Sequence, residues 1–135
     1  MRPIIKKLIL GATAGNVVGV LTNDTKMDLE LLFGEVITTT DATVASRLVN
    51  IDVCLADGTV EYGIRGVVAN TASLVTRNQF IQAVSREAAL GNGSVIVGIP
   101  ERLVIPGGGT LKIAIVAGVA TDTYTARFTA KEAIA

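Results

Sequence analysis

The sequence predicts an all-β chain: an antiparallel, jelly-roll-like β-sandwich with an extended N-terminal arm. Three observations point there. Runs of Val, Thr and Ile recur through residues 26 to 129, separated by Gly, Pro, Asn and Asp. Apolar and polar side chains alternate along these runs, the period-two signature of a half-buried strand. No full helices alternate with them, so a parallel α/β sheet is not expected.

The elements are read in order. Residues 1–25 form the arm, which is Gly- and Ala-rich and weakly periodic, with one or two strands and a turn at Asn23-Asp24. Residues 26–135 form the sandwich. Met27, Leu29 and Leu31 alternate with Lys26, Asp28 and Glu30, a strand that breaks at Phe33-Gly34 as if at a bulge. A helix over Met27 to Phe33 competes, because Met, Leu and Glu favour helices. Thr39 to Ser46 is a polar loop. Arg47 to Leu55 and Thr59 to Val68 form a hairpin around Asp57-Gly58, residues suited to positive φ. Asn70 to Ala72 is a turn, and Leu74 to Val84 a long strand. Ser85 to Gly93 is a loop with a helical turn over Arg86 to Leu90. Ser94 to Ile99 is a strand stopped by Pro100, Leu103 to Ile105 a short one, and Pro106 to Gly109 a tight turn. Thr110 to Val116 and Thr121 to Thr129 close the fold as a pair across Ala117 to Ala120. The total is about eight strands, spaced as in sandwiches.

Composition narrows the function. The 135 residues fit one domain. Half are hydrophobic but only 4% are aromatic, and Trp is absent. Mean hydropathy is +0.54, so apolar surface is expected to meet a neighbouring subunit. Twelve basic and 12 acidic residues cancel, which removes the basic stripe that nucleic-acid binding needs. Cys54, the only cysteine, cannot form an internal disulfide and reads as inert mid-strand filler. Arg2, Lys6 and Lys7 precede an apolar stretch from Leu8 to Leu21, but Gly11, Thr13, Gly15, Asn16 and Gly19 interrupt it. Neither a cleaved leader nor a membrane span is expected.

Reactive constellations are missing from the sequence. Histidine is absent, which rules out Ser-His-Asp and Cys-His catalysis and His-ligated metals. Asp28, Glu30 and Asp52 alternate outward like ordinary surface carboxylates rather than a glycosidase pair. Asp24, Asp28 and Glu30 lack the order of a calcium loop. Leu8 to Gly19 superficially resembles a dinucleotide fingerprint, yet Asn23-Asp24 interrupts before a helix could form. Pro106-Gly107-Gly108-Gly109 leads into a strand, without the Lys-Ser/Thr of a phosphate loop. No enzyme activity and no cofactor are expected.

The stretch from Phe33 to Phe128 resembles small virion proteins of tailed bacteriophages. The matching residues are Ile37 to Val49 (ITTTDATVASRLV), Ile51-Asp52-Val53 and Asp57-Gly58. Further on come Leu103 to Ile113 (LVIPGGGTLKI) and the final Ala120 to Phe128. The resemblance implies a jelly-roll-like capsid decoration or cement protein, or a neck or tail component, with no catalytic residues to carry over. It implies the major capsid protein and further copies of this chain, as a dimer or trimer, as partners, with no nucleic acid or membrane. Its place would be the capsid surface after synthesis in the host cytoplasm.

On this reading the arm docks through Ile4, Ile5, Leu8 and Ile9, while Arg2, Lys6 and Lys7 meet acidic capsid surface. Arg47, Arg65, Arg77 and Arg127 are candidate bridges to neighbouring subunits. Deleting residues 2–23 is expected to abolish particle binding and spare the fold. A receptor- or carbohydrate-binding sandwich is the alternative, disfavoured by the scarcity of aromatic side chains.

Overall fold

The computed structural model describes residues 4–82, 88–89 and 93–133. Arg2 and most of the Ser85–Gly93 loop lie outside the described residues; within the helical turn expected over Arg86 to Leu90, the described Ala88–Ala89 form a short strand instead.

The described residues form eleven strands: β1 (Ile5–Ala14), β2 (Gly19–Thr22), β3 (Leu29–Thr39), β4 (Leu48–Cys54), β5 (Val60–Arg65), β6 (Val75–Gln82), β7 (Ala88–Ala89), β8 (Ser94–Ile99), β9 (Val104–Ile105), β10 (Thr110–Val116) and β11 (Thr123–Glu132). The larger sheet has the order β1-β11-β3-β6-β8-β7, with β9 also paired to β3; the smaller has the order β2-β10-β4-β5. All pairings are antiparallel except β6 with β8. The two sheets pack face to face as a jelly-roll-like sandwich. Among the described residues no helix is long and apolar enough to cross a membrane.

Alternation builds the core. Leu111 and Ile113 of β10 and Val49, Ile51 and Val53 of β4 point inward from the smaller sheet; Leu31, Val36, Phe80 and Phe128 point inward from the larger. Each large aliphatic side chain so buried contributes about 1.5–3 kcal/mol. β3 is a strand because its first residues lie between two partners, Leu29 beside Ile105 and Glu132. Tertiary pairing overrides the helix preference of Met27 to Phe33.

Two details shape the larger sheet. Along β11, Thr129 pairs with Phe33 but Ala130 pairs with Leu31, so Leu32 is an extra, unpaired bulge residue. The bulge resets the alternation. Leu29 and Leu31 point inward before it; Gly34, Val36 and Thr38 do so after it, and Phe33 is turned outward. In register, Gly34 sits between Phe128 and Phe80, whose rings meet over it with centroids 5.7 Å apart.

The hairpin at Asp57-Gly58 forms as expected, with Gly58 at φ 89° and the Leu55 N–H donating to Thr59 at 2.9 Å. The closing pair does not. β10 lies in the smaller sheet and β11 in the larger, so residues 117–122 carry the chain across the sandwich. The turn holds itself: the Gly118 N–H donates to Ile115 at 3.1 Å and the Asp122 N–H to Val119 at 3.0 Å.

The segment read as an arm contributes a strand to each sheet. β1 runs along β11 from Ile5 opposite Lys131 to Ala14 opposite Thr123, and β2 pairs with β10. Leu8 and Leu21 enter the core. The Tyr124 hydroxyl donates to Val17 at 2.6 Å and so pins the β1–β2 turn. Buried Asn23 donates to Ile105 at 3.0 Å and to Pro106 at 3.1 Å, which ties the end of β2 to the Pro106–Gly109 turn. Cys54, at the end of β4, is fully enclosed.

Candidate functional site

The candidate site is the outer face of the larger sheet. Two cross-strand rows build it. Ile9 of β1 faces Arg127 of β11, which faces Glu35 of β3, which faces Gln79 of β6. Next to this row, Lys7 faces Thr129, then Phe33, then Ile81. Between the rows lies a groove of about 680 Å³. Water-facing sheet surface is usually polar. Here Ile9 is 63% exposed, Phe33 50% and Ile81 37%.

The electrostatics of the groove are uneven. Arg77 donates to Glu35 at 2.8 Å, so the acid of the face is already engaged. Lys7 donates to the Thr129 hydroxyl at 3.1 Å, a neutral partner that leaves its charge uncompensated. Arg127 makes no ion pair among the described residues. An apolar floor with two unneutralised cations is suited to an apolar partner bearing carboxylates. Among the described residues no three side chains are grouped to hold a metal.

The expected interface residues divide. Ile4, Ile5, Lys7 and Ile9 are exposed, whereas Leu8 belongs to the core. Lys6 is paired with Asp24 at 3.2 Å. Arg77 and Arg127 come together on the groove face. Arg65 lies on the smaller sheet, paired with Asp52.

Arg47 has a different role from the surface bridge expected of it. Its side chain is wholly buried and its Nε donates to Asp122 at 2.6 Å. Its Nη2 donates to Asp41 at 3.0 Å and to the Thr43 carbonyl at 2.9 Å. Asp122 also accepts the N–H groups of Asp41 at 2.8 Å and Val119 at 3.0 Å. Burial pushes the Asp122 carboxyl up, but the bond and charge of Arg47 and the two N–H donors outweigh it and hold its pKa below the ordinary value. The Thr121 hydroxyl and the Thr43 N–H do the same for Asp41 against a weaker desolvation effect. The cluster is internally satisfied and locks the Thr39–Ser46 loop to the 117–122 crossover.

Sequence reasoning missed Phe33 and Ile81 as surface residues. For Phe33 the clue was the suspected bulge, since one extra residue inverts which side chains face water; Ile81 faces water by the plain alternation of β6.

No protein-family model matches the chain, and no curated protein does. Solved structures do. A chain in the structure of infectious bursal disease virus, Gx strain, matches with a TM-score of 0.51 at 14% identity, over 98% of this chain and 33% of that one. The infectious bursal disease virus VP2 subviral particle gives 0.45 at 16% identity, over 97% and 33%. The T13 particle of that virus gives 0.46 at 18%, over 98% and 31%. The chain thus spans about a third of the length of the chains it matches. At this identity the first likeness establishes a shared sandwich fold.

Proposed function

We propose that this chain is a non-enzymatic structural protein of a virion, a decoration or cement protein that binds the major capsid protein lattice. One observation carries the reading: the larger sheet turns Ile9, Phe33 and Ile81 toward water, around the cations Lys7 and Arg127. Such a face is an interface in waiting. The fold shared with a chain of a virus structure supports it, as does the likeness of residues 33–128 to small phage virion proteins. Many weak contacts, repeated over a lattice, add up to firm attachment without any single strong site. Ile4, Ile5 and Ile9, with Lys7, form the part of the N-terminal segment available for docking.

The test is the copy number of the chain on purified particles, by quantitative mass analysis and cryo-microscopy. Many copies spread over the shell is the expected result. A single ring at one vertex would indicate a neck or tail component instead, and absence from particles would overturn the reading.

A further inference from the structure

The groove has a counterpart on the same chain. The hairpin joining β4 to β5 carries Asp57 and Glu61 with no basic residue between Leu55 and Ile64. Val60 and Tyr62 beside them are 52% and 45% exposed. Both carboxylates are free of ion pairs among the described residues. Asp24, Glu30, Glu35 and Asp52 are instead paired with Lys6, Lys131, Arg77 and Arg65. The Thr59 N–H donates to Asp57 at 2.9 Å and, with the Thr59 hydroxyl, holds its carboxyl below the ordinary pKa, so the tip stays anionic at neutral pH. One surface is apolar and cationic, the other apolar and anionic, and β5 is an edge strand of the smaller sheet.

We propose that the β4–β5 hairpin of one copy seats in the groove of the next, so that the chain assembles head to tail. Val60, which the register shift after Val53 sets on the opposite face from Tyr62, would cover Phe33 and Ile81, while Asp57 and Glu61 would meet Lys7 and Arg127. Stacking two larger sheets about a two-fold axis is disfavoured, because it would bring the unneutralised cations of both copies together. A head-to-tail contact leaves one free groove and one free hairpin at the ends of every chain of copies. Such contacts close into rings when the rotation permits. The contact gives the groove itself to a second copy and leaves the exposed Ile4, Ile5 and Ile9 beside it for a capsid; it rests on the virion reading only for its biological use, since it is a property of the purified chain.

The experiment uses charge reversal and sedimentation. The purified chain at about 100 μM and low salt, a concentration suited to a modest interface, is expected to sediment above its 14.0 kDa monomer mass. It should return toward the monomer as salt screens the charges. K7E/R127E and D57K/E61K should each be monomeric, with wild-type far-UV circular dichroism. Their equimolar mixture, which offers matched pairs again, should recover the multimer. Should K7E/R127E fail to fold, D57K/E61K at the exposed hairpin decides alone. A monomeric wild type, reversals that leave the mass unchanged, or a mixture that stays monomeric would overturn the proposal. Particle binding is scored separately. A chain that multimerises but never joins particles refutes the virion reading and leaves this contact standing. A monomer that decorates particles does the reverse.

Discussion

Gly34 shows how little room the core allows. A Cβ built there falls on the ring of Phe128, and Phe80 closes the other side. Gly34→Val is expected to cost about 1–3 kcal/mol through overpacking, read as a lower midpoint in chemical denaturation. Adding Phe128→Leu should recover part of the loss. The Arg47 cluster is the second sensitive point. Arg47→Met leaves two carboxylates without their cation and is expected to cost about 3–5 kcal/mol. The pH dependence follows from Asp122 and Asp41, whose pKa values in the folded state lie below the ordinary 3.8. Their contribution is complete above the unfolded value and is lost as pH falls through the folded one. Thermal melts should therefore show stability falling below about pH 4. Asp122→Asn should be less stable at pH 7 and show a shallower acid decline.

β1 makes a prediction that reverses the expectation for an arm. Deleting residues 2–23 removes Leu8 and Leu21 from the core, bares the edge of β11 and leaves the Tyr124 hydroxyl only its longer bond to the Ile113 carbonyl at 3.3 Å. The truncated chain is expected to lose its cooperative unfolding transition and the dispersed amide spectrum of a fold; retention of both would mean that β1 is dispensable. Strands bounded by local signals were legible beforehand. Ser94–Ile99 and Thr110–Val116 were read to the residue, since alternation defines them and a turn or Pro100 ends them. The Asp57-Gly58 hairpin was legible for the same reason. The place of β1 was not, because its pairing with β11 is set by residues such as Lys7 and Thr129, 122 positions apart. Arg47 was misplaced because a charge at a strand entrance reads as surface unless its distant carboxylates are known.

Taken together, the strands make a fold of distant partners. β1 pairs with β11, β3 with both β11 and β6, and β6 with β8 in parallel. Closing such loops costs entropy before any contact forms. Refolding by stopped-flow dilution is expected in the millisecond-to-second range of sandwiches rather than in microseconds. The sandwich class was legible from spacing and composition. The assignment of strands to sheets was not, and β10 and β11 show why: a six-residue connection joins a hairpin as readily as it crosses between layers. The groove was hidden for a related reason, since it draws on four strands and depends on the inversion at Leu32.

The enclosure of Cys54 gives the protein a built-in clock. It is the only sulfhydryl in the chain, and it is sealed at 0% exposure at the end of β4. A disulfide reagent can reach it only when the neighbouring strands part, so the labelling rate measures how often that happens. Slower labelling as concentration rises, or on purified shells, would report stiffening by assembly from a single native atom, with no probe added.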